Sequence, residues 1–396
     1  MPASGRVVFL PWVTLPVSVQ VGGFRFCPIH RNAMASVVDS DVAETVDQLL
    51  KCYVRRDGKP IESCTIVLRP RHSQPWNIPE RMWTAASRAA EMLALACLAE
   101  QRFLEGHNSP HLNATMFRLI GQGITAGSDQ IAPVYPRRGS GLRIGGLRFK
   151  DIVFQRPSQI EGTECKVVGI RLLKGLDNAR RAQHPVWEPI ASSLELFLLG
   201  HAETPELGWD SCVMLSAMAF ERLLEPQQST AKAVARAFTE LWSPYSRLKL
   251  TDAKRIKPDN KPEFVAEQTA WPVHRKWMKE LYEARSARAH RGPRSDFSQN
   301  WEDWQHMVIA AFSYPLAVKL RLLAAGLYRL DDKEMGACEA LDELLDSHWG
   351  RGWRKPPEWP SILSIAENAR ALTAVVKRAY QASRTKTARA GHRGSS

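Results

Sequence analysis

The sequence predicts an α+β amino-terminal domain over residues 1–175, then an all-α helical bundle over 186–325, a helical extension over 326–382 and a disordered basic tail over 383–396. Three observations lead there. Up to about residue 155, short segments of alternating β-branched and aromatic residues are punctuated by glycine and proline, with only two helical patterns among them. After Gly175, apolar residues recur at the three- and four-residue spacing of helix faces almost to the carboxyl end. A composition of 44% hydrophobic and 24% charged residues over 396 positions is that of folded domains, with length for two or three separate cores.

Val7 to Leu10, followed by Pro11 and Pro16, reads as an edge strand, since proline cannot donate to a sheet ladder. Residues 6–28 stay extended, and Gly22-Gly23 allows a hairpin before Phe24-Arg25-Phe26 resumes the alternation. Asp39 to Tyr53 has helical spacing, with Ser40 or Asp41 as its cap, and Ile61 to Leu68 is a further strand. Pro79 to Leu104 is a long helix whose buried face is marked by Ala85, Ala89, Leu93, Leu95 and Leu98. The stretch Arg137 to Arg148 holds Gly139, Gly141, Gly145 and Gly146 but lacks the Gly-Lys-Ser/Thr ending of a phosphate loop. It reads as a glycine-rich hairpin with solvated arginines, a nucleic-acid contact being the competing reading.

Helices then follow over Val186–Ala202, Gly208–Leu224, Ser229–Trp242, Trp301–Leu323, Glu334–Leu345 and Ile362–Tyr380. Ser229 or Thr230 caps the third of these, and Pro272, after a helical lead-in over Phe264 to Ala270, opens another that carries Trp277, Leu281, Ala284 and Arg288 on one face. Between them, Ser243 to Pro262 carries six basic residues against two aspartates and reads as an exposed, mobile loop, either a solvated surface or a segment that tracks phosphates. In His348 to Trp359 tryptophan and arginine alternate; the rings either pack the proline-bearing linker onto the bundle or stack on bases.

The formal net charge of +13 points to an anionic partner, nucleic acid before a membrane surface. No apolar stretch reads as reaching the roughly 20 residues of a membrane span, and no signal peptide is visible. Seven scattered cysteines without a Cys-x-x-Cys pair fit a reducing cytoplasm and argue against a zinc site. The eleven histidines are dispersed, with no His-Glu-x-x-His, so no metal or other cofactor is expected; a Gly-x-Ser-x-Gly elbow is absent too.

One stretch combines a proton-transfer group with anion holders: Leu281-Tyr-Glu-Ala-Arg285-Ser286-Ala-Arg288-Ala-His290-Arg291-Gly-Pro. Glycine and proline end the helix, which puts His290 in its last turn, where the negative dipole end favours imidazolium. Histidine moves protons near neutral pH and arginine grips phosphate through a planar fork, so the pair can serve phosphate chemistry without a metal. A helix end capped by basic side chains is the plainer reading of the same residues. Five positions correspond to about 140° around a helix, so Arg285 and His290 do not share a face and a site built from both needs another segment or subunit.

The helical half resembles a HEPN domain, and within that family the ApeA-like branch. The resemblance rests on Ser211-Cys-Val-Met-Leu-Ser-Ala-Met-Ala-Phe-Glu221-Arg-Leu-Leu, on the short helix Ser229 to Trp242, and on the Tyr-x-x-Arg-x4-His-x-Gly ending at Arg285 and His290, across roughly residues 186 to 325. It implies a metal-independent endoribonuclease of a bacterial abortive-infection or toxin system, active as a homodimer with the two motifs facing each other. Arg285 would then bind the scissile phosphate and His290 would be general base or acid for attack by the 2′-hydroxyl. Glu221 would orient Arg285, and Lys279, Arg288, Arg291, Lys254, Arg255 and Lys257 would contact the RNA. Ser286 stands where active members carry Asn, Asp or His; it can still hydrogen-bond. The amino-terminal domain would sense a phage-derived trigger or answer to an antitoxin.

Overall fold

The computed structural model describes residues 4–100, 113–131, 134–135, 142–143, 146–157, 165, 167–202, 204, 206–259, 267–291, 300–350 and 357–363. The chain divides into two compact units, which among the described residues comprise those up to Leu223 and those from Leu224 on.

The first unit is built on an antiparallel five-stranded sheet. Its strands are β1 (Ser4–Leu10), β2 (Val19–Val21), β3 (Phe24–His30), β5 (Ser63–Leu68) and β6 (Ile120–Thr125), in the order β2-β3-β5-β1-β6. The edge position expected for β1 is overturned: it pairs with β5 on one side and β6 on the other. The strand stops at Leu10, so Pro11 and Pro16 never enter the ladder they were expected to interrupt. The Gly22-Gly23 hairpin does form, with both glycines at positive φ, 64° and 85°, as a tight two-residue connection requires. A short strand β4 (Tyr53–Val54) pairs in parallel with Phe154–Gln155.

One face of the sheet, through Val7, Phe9, Cys27 and Ile66, packs with α1 (Ser40–Lys51) on its Val42, Val46, Leu49 and Leu50 stripe. Asp39, not Ser40 or Asp41, is the residue that opens α1; its carboxylate accepts from the Trp76 indole at 2.9 Å instead of capping the helix. The long helix α2 (Trp83–Leu98) begins after a 3-10 turn and is buried throughout from Met92 to Leu98, while Ala85 is exposed and Ala86 takes the inward position. Gly22 lies against it so closely that a Cβ there would stand 2.6 Å from that of Ala89. Helices α3 (Ile170–Arg181), α4 (Trp187–Gly200) and α5 (Trp209–Leu224) follow. Asp177 of α3 is buried and fastens the hairpin: it accepts from the Gly22 amide at 3.0 Å and pairs with Arg180 and Arg181. Burial pushes its carboxyl up, but the two arginines and the amide outweigh that and hold it below the usual range. Of the glycine-rich hairpin, the described backbone shows Val134–Tyr135 antiparallel to Leu142–Arg143 and Gln130–Ile131 antiparallel to Leu147–Arg148; its arginine-bearing loop lies outside the described residues.

The described part of the second unit is helical. Its helices are α6 (Ala231–Trp242), α7 (Val273–Arg291), α8 (Asp303–Ala324), α9 (Asp332–Glu339) and α10 (Leu341–Leu345). Thr230 caps α6, its hydroxyl accepting from the Ala233 amide at 3.3 Å. Phe238 of α6 meets the Trp277 ring of α7 with centroids 5.6 Å apart. α8 is 22 residues long and apolar enough, by length and composition, to cross a bilayer, contrary to the expectation of no such stretch; 83% of its most apolar window is buried inside the structure. The helix expected over Ile362–Tyr380 lies outside the described residues after Leu363, as do the tail and residues 264–266 of the expected lead-in Phe264 to Ala270. Trp349 stacks on Trp359 at 5.6 Å and Trp304 meets both edge-on, so these rings pack on one another.

Candidate functional site

Helix α7 carries the site, and its sequence explains its course. Pro272 stands immediately before Val273 and presets the backbone for a helix start. Trp277, Leu281 and Ala284 are fully buried, so the apolar stripe turns inward, and the backbone stays helical through His290 to Arg291. The interval Arg285 to His290 is therefore regular helix, and the offset of about 140° between the two positions stands. The side chains of His290 and Arg291 lie outside the described residues.

Arg285 is half-buried, and Tyr282, one turn earlier, sets its direction. The guanidinium donates to the Tyr282 hydroxyl at 2.7 Å and its central carbon lies 4.9 Å from the ring centroid. The hydroxyl in turn donates to the Ser229 carbonyl at 2.9 Å, which ties the pair to the start of α6. Ser286 is half-buried beside it. Glu221 is half-buried on α5 and belongs to the first unit, Arg285 to the second.

The other cations expected at phosphates fall into two groups. Arg288 is ion-paired with Asp303 at the start of α8. Lys279 is paired with Asp259 at 2.9 Å and with Glu283; burial lowers its ammonium, but the two carboxylates outweigh this and raise it above the ordinary lysine value. Lys254 and Lys257 have exposed side chains, whereas Arg255 spans the Asp346 carbonyl at 3.0 Å and Glu358 at 3.2 Å.

The backbone beneath Lys254, Arg255 and Lys257 is not the mobile loop expected from its charge. Asp346, 7% exposed, accepts from the amides of Lys254, Arg255 and Ile256 at 2.8, 2.7 and 3.3 Å, and Asn300 exchanges hydrogen bonds with Lys257, 3.1 Å in each direction. The Leu248 carbonyl accepts from the amide of Val273, the first residue of α7, and the Leu250 amide donates to the Trp271 carbonyl just before it. The basic side chains are thus displayed from a fixed segment.

Sequence reasoning missed a buried polar lattice beneath the motif. Lys276, fully buried, pairs with Asp259 and with Glu280 at 3.0 Å, and Glu280 accepts twice from Asn300, at 2.9 and 2.6 Å. Burial dominates at Glu280 and holds its carboxyl above the usual range despite Lys276 and Asn300. His274 is buried with Nδ1 2.8 Å from Asp342, and His306 on α8 is buried with neither ring nitrogen partnered. The four-residue spacings Lys276–Glu280 and Lys279–Glu283 were the visible signal of this lattice. Comparison with protein-family models, characterised proteins and solved structures returned no match for the chain.

Proposed function

We propose that the protein is a HEPN-like, metal-independent endoribonuclease of a bacterial anti-phage abortive-infection or toxin system, working in the cytoplasm as a homodimer. The observation that carries this reading is the held guanidinium of Arg285: Tyr282 fixes it through hydroxyl and ring, five positions before His290 on one continuous helix. A preset guanidinium binds a phosphate oxygen pair with little ordering cost. His290, near the helix end, takes the proton of the RNA 2′-hydroxyl, the oxygen attacks phosphorus, and the 5′-oxygen leaves, giving a 2′,3′-cyclic phosphate and a 5′-hydroxyl. The helical offset means that two copies of α7 build the site together, with Ser286 in support. The exposed Lys254 and Lys257 supply long-range attraction for RNA, as do Arg255 and Arg291, and the first unit senses the trigger or an antitoxin.

The second reading is a non-catalytic RNA-binding or scaffold protein of the same helical fold. It is favoured by the commitment of Lys279 and Arg288 to carboxylates, which takes two cations away from phosphates. The two part on a chimeric oligonucleotide with one 2′-deoxy residue at a mapped cut. The nuclease loses that cut alone and leaves cyclic phosphate ends elsewhere; binding with no cleavage of the all-RNA strand favours the scaffold.

A further inference from the structure

The second unit displays charge and aromatic rings side by side. Between residues 247 and 257 the side chains of Arg247, Lys249, Lys254, Arg255 and Lys257 are exposed, with Asp252 the one acidic residue among them. The backbone that carries them is tied down along its length. The Leu248 amide donates to the buried Asp342 at 2.9 Å, Lys249 forms a β-bridge with Pro272, and Asp346 and Asn300 hold residues 254–257. Arg255 carries the segment over to the tryptophan cluster. It donates to Glu358 at 3.2 Å, and Glu358 is itself locked to His348, accepting from that residue's amide at 3.0 Å and donating its own amide to the His348 carbonyl at 2.7 Å. The residues that follow these two, Trp349 and Trp359, are the stacked pair, with ring planes 16° apart. Trp304 stands edge-on to both, and its indole donates to Glu302 at 2.8 Å, which fixes the ring. Trp359 is buried, whereas Trp304 and Trp349 are each partly open to solvent.

We propose that residues 247–257 and the rings of Trp304 and Trp349 form one binding surface for unpaired nucleic acid, made of residues outside the Arg285–His290 motif. The cations track the sugar-phosphate backbone and the open rings stack on bases. Stacking needs a base that is not already paired within a helix, so the surface takes single strands ahead of duplex. The carboxylates beside the rings, Glu302 and Glu358, are engaged by Trp304 and by Arg255, and they leave the ring side suited to bases and the lysine side to phosphates. Because the segment is fixed before a strand arrives, binding has little backbone left to order. RNA as the natural ligand rests on the ribonuclease reading above, of which unpaired RNA becomes the substrate class. The surface itself makes no use of the 2′-hydroxyl and holds single-stranded DNA as well.

The test uses the full-length protein and a short fluorescein-labelled oligothymidine, which has no 2′-hydroxyl and survives the proposed cleavage chemistry, so that binding and cutting are read separately. Fluorescence anisotropy should show saturable binding that weakens as salt rises, with a duplex of the same length bound at least roughly tenfold more weakly. Lys254→Glu together with Lys257→Glu should weaken single-strand binding roughly tenfold or more and flatten its salt dependence. Trp304→Leu should weaken it at least roughly fivefold with the salt slope unchanged, the mark of a lost stack and not of a lost charge. Ultraviolet cross-linking of a strand bearing 4-thiothymidine to the wild-type protein should map to Trp304 or Trp349, a readout that does not depend on how a variant folds. No binding, equal affinity for duplex, wild-type affinity in either folded variant, or cross-links confined to other segments would overturn the surface, whether or not the protein cuts RNA.

Discussion

Tyr282 and Arg285 act as one unit: the phenol oxygen accepts from the guanidinium at 2.7 Å, and the same ring lies under it with the guanidinium carbon 4.9 Å from its centroid. Because the hydroxyl also donates to the Ser229 carbonyl, the position of Arg285 depends on a bond to the segment that leads into α6. Tyr282→Phe keeps the ring and removes both hydroxyl bonds. It should lower stability by about 1 kcal/mol and RNA cleavage roughly tenfold, less than Arg285→Ala. Thermal unfolding and initial cleavage rates check this; an unchanged rate would deny Tyr282 its positioning role.

Asp346 accepts from three successive amides of the basic segment. Asp346→Ala would leave those donors without their carboxylate and should cost about 2–3 kcal/mol, with faster tryptic cutting after Lys254 and Arg255. Asp346→Asn, which keeps one acceptor, should fall between. Equal cutting rates in wild type and Asp346→Ala would mean that the segment is held by other contacts.

His306 should make the second unit acid-sensitive. Burial, with the Arg288 charge adding, pushes its imidazole down to about 3. The folded value lies below the ordinary one near 6.5, so the fold requires the neutral ring. Its contribution is fully present above about 6.5 and is lost as pH falls from there toward about 3, at up to about 1.4 kcal/mol per pH unit. Between pH 7 and pH 5, urea unfolding should show wild type losing about 2 kcal/mol more than His306→Leu. Parallel pH profiles for the two proteins would refute this.

What the sequence made legible is what local chemistry decides. Pro272 starts α7 because its φ is preset, and Gly22-Gly23 turns the hairpin because both positions need positive φ. The basic run 243–262 misled because charge density describes side chains, whereas order here comes from Asp346, about 90 residues further along. The neighbours of β1 were equally hidden, since strand order depends on contacts distant in sequence. At the site, the motif and its offset were readable from spacing; the hold of Tyr282 on Arg285, the pairing of Arg288 with Asp303 and the burial of Lys276 were not, because each depends on tertiary packing.

The central claim is that Arg285 and His290 cut RNA without a metal. Its most direct measurement is the digestion of total RNA in EDTA by wild type, Arg285→Ala and His290→Ala, each first shown by circular dichroism to be folded. Wild type should cleave, and both variants should lose at least roughly a hundredfold, the scale of a lost general base. Intact RNA with wild type, or equal cutting by all three, would contradict it.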